Sequence, residues 1–181
     1  MTRLTAILKR MSAVAAGVAC LATLSPLLAF AATPVRVSLV ISDDQAKPVQ
    51  HGLRKLRGSL QEKGAQVEAT ASIEKATGDA VVVAGLSSGS GEVKKLMAEL
   101  RLDPSKTPES LLIRKLQREG KTFVLITGAD ACGLMYGLLD VADRVGWARS
   151  GEQLFSEVRN TEEQPFTPER ALSLYTFNRA Y

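Results

Sequence analysis

The run Val81-Val82-Val83-Ala84 offers no polar position to either side of a strand, so a strand built from it is buried on both faces. A sheet with such a centre needs cover on both sides, and that restricts the chain to folds in which helices and strands share one core. The sequence around the run supplies both. Val35, Val37, Leu39 and Ile41 recur at every second position, with the polar Arg36 and Ser38 between the first three, and mark a strand over 35–41. Val49, Leu53, Leu56 and Leu60 follow at helical spacing, opened by Pro48 and closed near Gly64. A short strand is expected over 66–70, and the central strand over 79–86.

Residues 85–91 form a glycine- and serine-rich turn, after which Val93, Leu96, Met97 and Leu100 give the stripe of a second helix. Two prolines, Pro104 and Pro108, place 103–108 in an exposed loop. Strands over 110–116 and 121–127 flank Arg118-Glu119-Gly120, a hairpin pattern. Gly128 ends the second of these strands, and Asp130 is placed to cap a third helix. That helix carries Leu134, Leu138, Val141 and Val145 on one face. Gly133 and Gly137 stand four residues apart on another, where bare backbone can approach the sheet. The order β-α-β-β-α-β-β-α predicts an α/β sandwich with a mixed sheet and about three helices.

The first 32 residues read differently. Arg3, Lys9 and Arg10 precede residues 11–30, which are largely apolar and carry no charge, and Ala29-Phe30-Ala31 ends the stretch with small residues around the aromatic. This is the pattern of a secretory signal peptide, so the protein is expected to be exported to the periplasm or beyond. An uncleaved anchor, the competing reading, would touch the membrane only through this segment. Of the 23 Lys and Arg residues three lie there, with no Asp or Glu, which leaves 20 bases against 19 acids in the remainder. The high isoelectric point is thus largely a targeting effect and gives no ground for a nucleic-acid partner. Cys20 leaves with the leader, and Cys132, alone, is expected to be a buried structural cysteine.

The residue types that carry chemistry are sparse. Asp43-Asp44 follows the first strand without further His, Cys or acidic ligands to complete a metal site, and a solvated turn is the simpler reading. His51, the only histidine, has no recognisable nucleophile partner. The 85–91 turn precedes a helix, as anion-cradling loops do, but lacks a P-loop ending. Residues 127–133 place strand, glycine turn and helix in dinucleotide-binding order with the wrong glycine spacing. Glu152, Glu157, Glu162 and Glu163 fall in a polar stretch, 149–168, expected to be a linker. No catalytic residue, metal ligand or cofactor is assigned.

Taken together, Glu109-Ser110-Leu111-Leu112-Ile113-Arg114, then residues 120–130 ending Thr127-Gly128-Ala129-Asp130, then Gly133-Leu134-Met135-Tyr136-Gly137-Leu138-Leu139, resemble the N-terminal accessory domain of α-glucuronidases and bacterial β-hexosaminidases. The resemblance covers about 35–147 and is most specific over its last forty or so residues. It implies a fold like the second domain of chitobiase, in domain 33–148. It also implies structural roles for Gly128, Asp130, Gly133 and Gly137. Residues 170–181, with Tyr175 and Phe177, are similar to the start of the catalytic (β/α)8 barrel of such enzymes. On this resemblance 169–181 is a truncated barrel start, and the family's catalytic acids fall outside the chain. The implied role is a non-catalytic accessory domain of a secreted glycoside hydrolase. Its partners would be the absent barrel, met through Trp147, Tyr175 and Phe177, and polysaccharide. A Rossmann-like nucleotide-binding protein and a stand-alone carbohydrate-binding module using Trp147 are the alternatives.

Overall fold

The computed structural model describes residues 33–42 and 46–167. The leader, Asp43, Asp44 and the tail with Tyr175 and Phe177 lie outside the described residues. The strands are β1 (Arg36–Ile41), β2 (Gln66–Thr70), β3 (Ala80–Leu86), β4 (Leu111–Arg118), β5 (Lys121–Gly128) and β6 (Thr161–Glu163). The helices are α1 (Lys47–Glu62), α2 (Glu92–Glu99) and α3 (Ala131–Trp147). The strands form one sheet in the order β2-β1-β3-β5-β4-β6. Neighbours from β2 to β5 are parallel, and β4 runs against both β5 and β6. The chain is an α/β fold with a mixed sheet and three helices, as its pattern predicts, and the sheet has a sixth strand, β6, that the pattern does not.

β3 sits in the middle, and six of its seven residues are buried. Its alternation serves two cores. Ala80, Val82 and Ala84 face one side with Val37 and Leu39 of β1, Val124 and Ile126 of β5, and Ile113 of β4. Against these pack Val49, Leu56 and Leu60 of α1 and Leu134, Leu138, Val141 and Val145 of α3. Val81 and Val83 face the other side with Val40, Leu112, Phe123 and Leu125, covered by Val93 and Leu96 of α2. The period of two along each strand thus becomes three layers, with α1 and α3 on one face and α2 on the other.

Local chemistry sets the joints. The β4–β5 hairpin pairs Arg118 with Lys121 across two residues, Glu119 at φ 52° and Gly120 at φ 76°. Positive φ at both central positions is the turn whose twist matches a right-twisted ribbon. Between α1 and α3, a Cβ on Gly52 would lie 2.9 Å from the Leu138 Cβ, so the bare position lets the two helices close on each other. Ser38, fully buried on β1, accepts from the Gly78 amide at 3.0 Å and donates to Glu68 at 2.8 Å, joining β1 to β2 and to the approach to β3.

The structure corrects the expected linker. After α3 the chain makes a short 3₁₀ turn, Gly151–Gln153, and then inserts Leu154, Phe155 and Val158 into the α1–α3 core, each no more than 6% exposed. The Lys115 ammonium holds this segment by donating to the carbonyls of Phe155 (2.9 Å) and Ser156 (3.3 Å). The Asn160 side chain accepts from the Lys115 amide at 2.8 Å, and β6 then pairs with β4, with Glu162 bound to Arg114 at 3.0 Å. Composition misled here because three inward apolar residues at irregular spacing are diluted by charges, of which Glu162 and Glu163 lie on an edge strand. A short, charged strand is itself a known way to protect a sheet edge.

Phe155→Ala is therefore expected to lower unfolding free energy by about 3 kcal/mol in urea titration. A linker residue at that position would leave the midpoint unchanged.

Candidate functional site

The most constrained place in the molecule is where β5 turns into α3. Asp130 adopts extended backbone (φ −141°, ψ −177°) and caps α3, its Oδ1 accepting from the Gly133 amide at 2.8 Å. Its Oδ2 accepts from the Glu109 amide at 2.9 Å, so one carboxylate ties the helix start to the chain two residues before β4. The Ala129 amide donates to the Ser110 carbonyl at 3.0 Å. A Cβ on Gly133 would fall 2.1 Å from that same carbonyl oxygen, and one on Gly128 would fall 2.1 Å from the Leu134 nitrogen. Gly137, one turn on, lies over Ile126, whose Cγ2 would be 2.9 Å from an added Cβ. These four residues therefore meet at one seam between helix and hairpin. Both carboxylate oxygens of Asp130 serve the scaffold, so it is not poised as an acid or base.

The same seam bears on the dinucleotide reading. In a dinucleotide-binding turn the glycines make room for a pyrophosphate against backbone. Here the close approach allowed by Gly128 and Gly133 is filled by protein, the Leu134 nitrogen and the Ser110 carbonyl.

The other sequence candidates are dispersed. His51 stands on the exposed face of α1 and makes no hydrogen bond among the described residues. Cys132 is free and half-buried in the first turn of α3, which corrects the expectation of a buried thiol: it stands four residues before the exposed Tyr136, on the helix face turned away from the buried Gly133 and Leu134. In the 85–91 turn, the Ser87 amide donates to the Gly128 carbonyl (2.9 Å) and the Gly89 amide to the Leu86 carbonyl (3.0 Å), so two of its donors are already engaged. Glu92, the first residue of α2, places its own carboxylate at that helix start and bonds Lys95 at 2.9 Å. The Lys95 hydrogen bond holds the Glu92 carboxyl below the ordinary glutamate range. Among the described residues no group of three or more His, Cys, Asp or Glu could hold a metal ion. Asp43 and Asp44 lie outside the described residues.

A cavity of about 440 Å³ opens at the opposite end of the sheet, and sequence reasoning missed it. Its walls come from separate elements, Asp79 before β3, Lys115 and Gln117 on β4, Thr122 on β5, and Glu152 with Phe155 from the segment after α3. No local pattern announces such a site. Its polar groups mostly brace the fold. Asp79 accepts from the Arg36 amide at 2.9 Å, Gln117 donates to Thr122 at 2.8 Å, and the Lys115 ammonium holds the carbonyls of Phe155 and Ser156.

On the surface, Trp147 ends α3 with 66% of its area exposed, and Tyr136 is 38% exposed. Eleven residues separate them, about three helical turns, so they stand on the same outer face of α3. Among the described residues, no helix is long and apolar enough to cross a membrane.

No family model matches the chain, and no curated protein does. Solved structures do. The chain is similar to a GH138 enzyme targeting pectin rhamnogalacturonan II, with 19% identity and a TM-score of 0.49 over 72% of this chain. It is also similar to CpGH84D, with 13% identity and a TM-score of 0.52 over 64% of this chain. Both neighbours are glycoside hydrolases, and the chain spans only 15% and 18% of their lengths. At this identity the second likeness establishes a shared fold.

The seam makes a paired prediction. Gly133→Ala is expected to cost about 3 kcal/mol or more, because the new methyl meets backbone that cannot step aside. Gly146→Ala, in the same helix with nothing within 4 Å of an added Cβ, is expected to gain about 1 kcal/mol. Chemical denaturation of the two variants checks both signs.

Proposed function

We propose that this chain is the non-catalytic N-terminal accessory domain of an exported glycoside hydrolase, acting in carbohydrate degradation by supporting or orienting a catalytic barrel. The observation that carries the reading is the likeness to CpGH84D, which takes in most of this chain and 18% of the enzyme: a domain-sized unit recurring inside a much larger hydrolase. The finer kinship, to the accessory domains of α-glucuronidases and β-hexosaminidases, rests on the hairpin, the Asp130 turn and the Gly133–Gly137 helix. On this reading the rigid seam gives the barrel a fixed base, and Trp147, exposed at the end of α3, contacts it together with Tyr175 and Phe177 of the tail. A large exposed indole on a charged helix face is the kind of anchor that partner surfaces bury. The leader would deliver the chain to the periplasm or outside the cell.

The chemistry of glycosidic cleavage supplies the test. It needs two carboxyl groups flanking a sugar-binding cleft, about 5 to 9.5 Å apart. The chain alone is expected to release no nitrophenol from a panel of 4-nitrophenyl glycosides. Turnover abolished by Asp79→Asn or Glu152→Gln, the acids lining the cavity, would contradict the accessory role.

A further inference from the structure

We propose that the exposed face of α1 is a binding surface for an acidic, carboxylate-bearing polysaccharide, a partner that rests on the carbohydrate role proposed above. Lys47, Arg54, Lys55 and Arg57 are all exposed on this helix, and none has an ion-pair or hydrogen-bond partner among the described residues. Four arginines elsewhere do find acids: Arg36 with Asp79, Arg114 with Glu162, Arg118 with Glu99, and Arg144 with Asp140. After the leader the chain is nearly neutral, while α1 carries these four cations against one acid, Glu62.

The arrangement within α1 is unfavourable to the helix itself. Lys47 is the first residue, at the positive end of the helix dipole, and the first turn holds no acid. Arg54 and Arg57 are three apart, a like-charge pair on neighbouring positions. Glu62, the last residue of α1, is the single acid the helix carries. Gly58 lies next to these cations with nothing within 4 Å of an added Cβ, which leaves this part of the face open. A row of cations maintained against its own repulsion is stabilised when an anionic partner supplies the missing charge.

The chemistry of the row selects the partner. From Lys47 to Arg57 the cations extend about 15 Å along the axis, a linear array suited to a linear polymer. Two guanidinium groups offer forked donors that match planar carboxylates. The exposed large apolar side chains of the described residues are Tyr136, Trp147 and Phe166, none of them on α1. The face thus offers no apolar anchor for a bilayer, and the one aromatic ring it exposes is the small His51 imidazole, a poor platform for a run of stacked bases.

Affinity electrophoresis of the chain through gels containing polygalacturonate, its fully methyl-esterified form or no polymer tests this. Retardation is expected in polygalacturonate alone, falling as salt is raised. The Arg54→Gln/Lys55→Gln/Arg57→Gln variant is expected to bind at least tenfold more weakly while unfolding at the wild-type temperature. Equal retardation by the neutral ester overturns the proposal, as does a triple variant that binds normally. Tighter binding to single-stranded DNA or to phosphatidylserine vesicles than to polygalacturonate overturns it also. A chain that ignores polygalacturonate yet cleaves no glycoside sinks this inference and leaves the accessory role standing. Glycoside turnover by the chain sinks the accessory role whichever polymer it binds.

Discussion

Where β5 ends, the backbone of α3 meets the carbonyl that opens β4 so closely that no side chain fits between them. Gly133 and Gly128 provide the clearance, and the Asp130 carboxylate closes the gap with one bond to the helix and one to the strand side. The rest of the α1–α3 layer follows from that contact. With its start fixed there, α3 lays Leu134, Leu138, Val141 and Val145 along the sheet, and Gly52 lets α1 pack beside it. The end of α3 then directs the chain so that Leu154, Phe155 and Val158 fill the remaining side of the same core. Backbone contacts of this kind are unforgiving, since no rotamer change relieves an added atom.

Much of this was legible because its determinants are local. The alternation in β1, the helical spacing of Leu53, Leu56 and Leu60, the Arg118-Glu119-Gly120 turn and the Asp130 cap each act within a few residues. The Val81–Val83 run announced the doubly covered centre of the sheet for the same reason. What stayed hidden is non-local. Nothing near β5 says that it inserts between β3 and β4, because that choice depends on which strands bury apolar faces against one another. β6 was invisible: three polar residues form a strand only because β4 offers an unpaired edge and Arg114 and Lys115 supply partners. The cavity beside Asp79 and Glu152 is assembled from pieces spread over more than seventy residues and leaves no pattern in any one of them.

The polar groups separate in a way that bears on function. Those inside or at the joints, Ser38, Asp130 and Lys115, are bonded to backbone and hold elements together. Lys47, Arg54, Lys55 and Arg57 on α1 are exposed and unmatched among the described residues, and the aromatic pair on α3 is turned outward. An interior bonded for rigidity and a surface left with uncompensated charge and exposed rings suit a domain that works through what it touches. The likeness to CpGH84D, which takes in under a fifth of that enzyme, is one of fold.

Native-state hydrogen exchange at the Gly133, Glu109 and Ala129 amides measures the seam directly. If the junction between α3 and the hairpin is the clamp on which the layers depend, these amides exchange only with global unfolding, as slowly as the Val82 amide at the sheet's centre. Exchange at Gly133 and Glu109 through local fraying, with Val82 still protected, would show that the fold holds without it.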